Sequence, residues 1–141
     1  MKLLATDMDG TFLRDDKSYS EEFNDLYKQM LKQGIQFVIA SGNQYEALVC
    51  KFDDDIKDDL YYLCENGTKI VYQGKTLYKK ALKKDDVKEV LDILKQDQEC
   101  MLVVSGDKHA YISKSFADKK DFISLFMKNV QFVESYDDIE D

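Results

Sequence analysis

The stretch Lys2-Leu3-Leu4-Ala5-Thr6-Asp7-Met8-Asp9-Gly10-Thr11-Phe12-Leu13 most constrains this chain. An apolar run ends in two carboxylates one residue apart, and a glycine and a threonine follow. The run reads as a buried, central, parallel strand, since it is apolar rather than alternating. Ligands of open α/β sheets lie outside the carboxyl ends of such strands. Two carboxylates at the rim of a core need a reason, because unpaired charge there is costly. In a strand, residues two apart share a face, which would aim Asp7 and Asp9 the same way.

The next segments predict a βαβ unit. Ser18 stands three residues before Glu21, a capping-box spacing. Phe23, Leu26, Tyr27, Met30 and Leu31 follow on one helical face, and Gly34 suits the helix end. Ile35 to Ala40 reads as the second strand, ending at Ser41-Gly42-Asn43. A parallel βαβ unit puts both carboxyl ends on one edge, so Ser41 is expected beside Asp7. A short helix with Tyr45, Leu48, Val49 and Phe52 comes next, then a solvated acidic connection from Asp53 to Asp59. Tyr61 to Cys64 is a third strand, Glu65-Asn66-Gly67 a turn, and 69–72 with 75–78 a β-hairpin.

The character changes near residue 82. Val87, Val90, Leu91 and Leu94 mark a helix. Residues 101–104 and 109–112 form a second hairpin. Phe116, Phe122, Ile123, Phe126 and Met127 mark another helix, and 131–133 a last strand. This α+β pattern predicts two segments, 1–81 and 82–141.

Composition narrows the function classes. A net charge of −8 argues against nucleic-acid binding, which relies on Lys and Arg neutralising phosphates. No apolar stretch reaches membrane-spanning length. Cys50, Cys64 and Cys100 are widely spaced, and read as buried free thiols in a reducing cytosol rather than a zinc site. His109 reads as a surface or interface residue.

Asp7 and Asp9 offer a nucleophile and a proton donor. A carboxylate can attack phosphorus to give an aspartyl-phosphate, and the other can protonate the departing alkoxide. Gly10 allows close backbone approach, and Ser41 can donate to a phosphoryl oxygen. Read alone, Ser41 is equally an N-cap for the helix through Leu48. Mg²⁺ matches carboxylate and phosphate oxygens.

Asp7-Met8-Asp9-Gly10-Thr11 behind an apolar strand resembles motif one of the haloacid dehalogenase superfamily. Ile39-Ala40-Ser41-Gly42 resembles motif two. Glu65-Asn66-Gly67, its hairpin and the segment from Leu82 are similar to the Cof-type branch, which inserts a large cap after the third core strand. The resemblance implies a Rossmann-like parallel sheet core, present in part, with the beginning of an inserted α+β cap. It implies Asp7 as nucleophile and Mg²⁺ ligand, and Asp9 as general acid/base giving its backbone carbonyl to Mg²⁺. Gly10, Thr11, Ser41 and Gly42 would hold the substrate. The substrate would be a small phosphorylated metabolite, such as a sugar phosphate or a flavin-related phosphate.

Where many relatives carry Arg, this sequence has Asn43. The family's later lysine and its Gly-Asp-x-x-x-Asp motif are not recognisable here. The expectation is therefore the N-terminal part of a longer phosphatase, or a truncated product, with low or no turnover alone. The alternative is a degenerate module that binds Mg²⁺, phosphate or a protein partner. An incomplete sheet also predicts self-association through its open edge.

Overall fold

A computed structural model describes residues 2–94, 97, 100–124 and 127–139. The chain divides into two compact units, 1–80 and 81–141. Phe126 of the expected helix, and Glu140 and Asp141 of the acidic tail, lie outside the described residues.

The first unit carries a five-stranded sheet in the order β1-β2-β3-β4-β5. Its strands are β1 (Lys2–Asp7), β2 (Ile35–Ala40), β3 (Tyr61–Cys64), β4 (Lys69–Tyr72) and β5 (Lys75–Lys79). The first three are mutually parallel, as βαβ connections require, and the hairpin adds two antiparallel strands. Helices α1 (Phe23–Lys32) and α2 (Tyr45–Val49) form the crossovers. Gln73 and Gly74 both take positive φ, 50° and 68°, at the tip of the hairpin. Two left-handed residues suit a two-residue hairpin loop, because that turn matches the strand twist.

The core explains why these segments pack. On β2, Phe37 and Ile39 are buried while their neighbours are only partly covered, and Tyr62, Cys64 and Val71 continue the same layer. The alternation means that one sheet face carries most of the burial. Phe23 and Tyr27 of α1 and Leu48 of α2 close that layer. Phe12, Tyr19, Phe23, Phe37 and Phe52 make an aromatic cluster, with Phe12 and Phe23 edge-on at 4.7 Å between ring centroids. Such edge contacts add about 0.5–1.5 kcal/mol beyond area burial.

Several expectations need correction. β1 is an edge strand among the described residues, not a central one, and pairs with β2 alone. Leu3 is 61% exposed and Leu4 45%, so the apolar run is not buried. Among the described residues nothing pairs its free edge, and an apolar sequence cannot supply its own cover. The Ser18–Glu21 capping box does not form. Helix α1 starts at Phe23 without a side-chain cap, and Ser18 instead donates its backbone N–H and its hydroxyl to Asp16 Oδ1, at 2.9 and 2.6 Å. A local turn thus competes successfully for the serine.

The acidic connection is solvated only in part. Ile56 and Leu60 are buried. Tyr27 and Tyr62 donate their hydroxyls to the Asp59 and Lys57 carbonyls at 2.6 and 2.8 Å. Lys28 pairs with Asp55, and Asn24 donates to Asp53. Cys64 is buried, but Cys50 and Cys100 are exposed, because Cys50 falls at the end of α2 rather than within its apolar face.

The second unit has the expected element order: α3 (Lys84–Leu94), β6 (Val103–Ser105), β7 (Ala110–Ser113), α4 (Lys120–Ser124) and β8 (Val130–Val133). Its sheet runs β6-β7-β8, antiparallel then parallel. The helix expected from Phe116 opens instead as a 3₁₀ segment, Lys114–Lys119, capped by Ser113. The Tyr136 hydroxyl accepts from Ser113 N at 3.0 Å and donates to Leu102 O at 2.8 Å, tying the sheet to the following turn. His109 is half-buried and meets Tyr111 edge-on. No described helix is long and apolar enough to cross a membrane.

Candidate active site

The parallel register places the candidate residues. Asp7 ends β1 directly opposite Ala40, which ends β2, so Ser41 emerges beside Asp7. The end of β3 closes the group: Ser41 N–H donates to Leu63 O at 3.0 Å. Two further backbone bonds join the loops, Asn66 N–H to Ser41 O at 3.2 Å and Glu65 N–H to Asn43 O at 3.1 Å. The result is a pocket of about 180 Å³ lined by Asp7, Ala40, Ser41, Gly42, Leu63, Asn66 and Gly67. A groove of about 510 Å³ lies on α3 beside Asp85, Lys88, Glu89, Asp92 and Ile93. That groove is one helix face without converging loops, whereas the smaller pocket stands at the carboxyl ends of three parallel strands.

Asp9 does not line this pocket, and strand alternation does not place it. β1 stops at Asp7, and the chain turns at once. Phe12 N–H donates to Asp7 O at 3.2 Å and Leu13 N–H to Met8 O at 2.8 Å. Met8 and Leu13 are buried, and Phe12 enters the aromatic cluster. Apolar anchors on both sides therefore hold Asp9 outward. Gly10 takes φ 72° within this turn. Gly10 and Thr11 are exposed there and do not line the pocket.

Asp7 and Asp9 are both exposed. Asp9 is bracketed by two donors: Lys17 Nζ lies 2.8 Å from Oδ1, and Asn43 Nδ2 lies 3.5 Å from Oδ2. The neighbouring carboxylate holds the Lys17 ammonium above its usual range. Ser41 is buried, and its Oγ accepts from Asn43 N–H at 3.2 Å. A hydroxyl that accepts one bond keeps a hydrogen to donate. Ser41 is not the cap of α2, since that helix begins at Tyr45 behind Gln44.

Among the described residues no three His, Cys, Asp or Glu side chains converge on a metal position. A cation here would find two carboxylate residues at most. Mg²⁺ tolerates such a set, because it takes one or two carboxylates and completes its shell with phosphate oxygens and water.

A family profile described as haloacid dehalogenase-like hydrolase matches residues 4–141. The chain belongs to the haloacid dehalogenase superfamily. Within it, the chain falls in the Cof-type branch. It is 38% identical, over 143 residues, to the Escherichia coli K12 protein named 5-amino-6-(5-phospho-D-ribitylamino)uracil phosphatase YbjI, covering 100% of this chain and 52% of that one. It is 29% identical to SMU.1108c of Streptococcus mutans UA159, with a TM-score of 0.88, covering 98% of this chain and 53% of that one. A haloacid dehalogenase-like hydrolase from Bacteroides thetaiotaomicron shares the fold at a TM-score of 0.77 and 19% identity, with 98% and 54% coverage. The chain thus spans about half the length of these relatives.

Two side chains at this site escape sequence reasoning. Lys17 is brought to Asp9 by a loop in which it takes φ 66°, and no periodicity signals that. Asn66 reads as a plain turn residue. The signal available for it was position, since Glu65-Asn66-Gly67 follows the third parallel strand and so belongs to the same sheet edge.

Proposed function

We propose that this chain is the N-terminal part of a cytoplasmic, Mg²⁺-dependent phosphatase acting on a small phosphorylated metabolite through an aspartyl-phosphate. The observation that carries the reading is the pocket in which the Asp7 carboxylate, Ser41 and Gly42 converge. In this reading Asp7 attacks phosphorus, and an Asp7–phosphorus bond forms as the ester P–O bond breaks. Asp9 gives its proton to the departing alkoxide. Asp9, now a carboxylate, then takes a proton from water, which attacks phosphorus and releases phosphate from Asp7. Ser41 Oγ and the Gly42 amide hold phosphoryl oxygens. Gly10 and Thr11 hold the turn that presents Asp9.

Mg²⁺ would be held by an Asp7 carboxylate oxygen and the Asp9 backbone carbonyl. When bound, it neutralises phosphoryl charge, which is most of what phosphoryl transfer needs. The Asp9 side chain already faces Lys17 and Asn43, which leaves its backbone carbonyl as the group offered to a cation. The name of the E. coli relative supports 5-amino-6-(5-phospho-D-ribitylamino)uracil as the first substrate to test. The second unit would then be the beginning of a cap.

The alternative, a non-catalytic module, draws on the two-carboxylate donor set. One experiment separates the two. Phosphate release is measured with Mg²⁺ from a protein carrying this chain together with its downstream coding sequence. Activity that Asp7→Asn abolishes, with an unchanged circular dichroism spectrum, supports the enzyme. Equal turnover in that variant refutes the role of Asp7, and no turnover in either protein favours the module.

A further inference from the structure

We infer that the Asn66 carboxamide is an additional phosphoryl-oxygen contact in the Asp7–Ser41 pocket. The inference rests on the phosphatase reading and extends it to a residue on the third strand's loop. Four observations carry it. Asn66 lines the same pocket as Asp7, Ser41 and Gly42. Its backbone is held in the left-handed region, φ 57° and ψ 32°, where asparagine is tolerated far better than branched residues. Its N–H donates to Ser41 O, so its position follows that of the serine. Its side chain lies over Gly42, with Oδ1 3.2 Å and Nδ2 3.6 Å from where a Cβ on residue 42 would stand.

The last relationship gives Gly42 a reason to be glycine. A side chain there would push against the carboxamide, so the space above Gly42 is shared by Asn66 and the pocket. Among the described residues no side-chain hydrogen bond ties the carboxamide down. A carboxamide carries two N–H donors, and hydrogen bonds to an anion are the stronger kind. The chemistry is therefore donation from Nδ2 to a non-bridging oxygen of a phosphate monoester.

The test uses inorganic phosphate with Mg²⁺ as the probe, and this chain as the protein. Binding is followed by ¹H–¹⁵N spectra that include side-chain amides. Three variants are compared with the parent: Asn66→Asp, Asn66→Gly and Ser41→Ala. Asn66→Gly keeps the left-handed backbone and removes the amide, and should weaken phosphate binding about tenfold. Asn66→Asp keeps the shape but faces the anion with a carboxylate, and should weaken it more than glycine does. A purely structural Asn66 would make aspartate the milder change. If Ser41→Ala weakens binding while Asn66→Asp binds phosphate like the parent, the Asn66 contact is wrong and the phosphatase reading stands. If the parent binds no phosphate, the Asn66 contact is wrong for this chain, and the phosphatase reading is decided by the Asp7→Asn turnover experiment.

Discussion

The Lys17 ammonium sits 2.8 Å from Asp9 Oδ1, on a residue whose own backbone is left-handed. Both side chains are more than half exposed, so the pair is screened and adds little to stability. Its effect belongs to orientation, since Asn43 approaches the other oxygen of the same carboxylate. Lys17→Met should leave the thermal midpoint unchanged. In a catalytically complete protein it should lower kcat about tenfold with KM nearly constant, as expected when an acid/base loses its alignment. A large drop in midpoint, or an unchanged kcat, contradicts this assignment.

Phe23 links the core to the active-site turn. It is buried on α1 and meets Phe12 edge-on, and Phe12 follows the Asp-x-Asp segment closely. Phe23→Ala should cost about 3–5 kcal/mol, the usual range for an aromatic removed from a core. Urea unfolding measures the loss. The amide resonances of residues 9–13 should move as well, because Phe12 loses its neighbour. A cost below about 1 kcal/mol would mean that the cluster is loosely packed.

Alkaline pH should unfold the first unit. Burial pushes the Cys64 thiol from 9.0 up to about 12. Burial likewise raises the Tyr27 and Tyr62 hydroxyls above 10.0. In each case the folded state favours the protonated form. The stabilisation is complete below the unfolded values, near pH 9 for the thiol and 10 for the phenols, and is lost as pH rises through the folded ones. The thermal midpoint should therefore fall from pH 9 upward, and Tyr62→Phe should flatten that fall. A midpoint constant to pH 11 refutes the argument.

The open edge of β1 should make this chain self-associate. Leu3 is exposed on a strand with a single partner, and unpaired apolar edges template pairing. Sedimentation velocity over a concentration series should reveal dimers or larger species, and Leu3→Lys should shift the distribution toward monomer. A parent chain that stays monomeric at high concentration counts against this edge as the contact.

Much of the first unit could be read before folding. The run from Ile35 to Ala40, the strand at Tyr61–Cys64 and the hairpin at 69–79 carry their own signals: β-rich composition, a length suited to strands, and turn residues between them. The parallel crossover then made Asp7 and Ser41 neighbours by topology alone. Ser18 was misleading, because a hydroxyl near a helix start can bond Asp16 as readily as a helix N–H. Lys17 was not legible as a site residue, since its place depends on a left-handed backbone conformation set by the surrounding loop, and Asn66 was signalled only by its position after the third strand.

The stretch from Lys2 to Leu13 by itself determined the chemistry on offer: two carboxylates, a flexible glycine and an apolar lead-in. Local sequence decides residue types and their spacing, and with them the motif. Only the tertiary structure decided that β1 lies at an edge, and that Asp9 stands beyond the strand on a turn held by Met8, Phe12 and Leu13. It also decided that Asn66 closes over Gly42. These are matters of which distant segments pair and fill space together. A strand's own residues do not encode its neighbours, because burial is a property of the assembled surface rather than of the side chain.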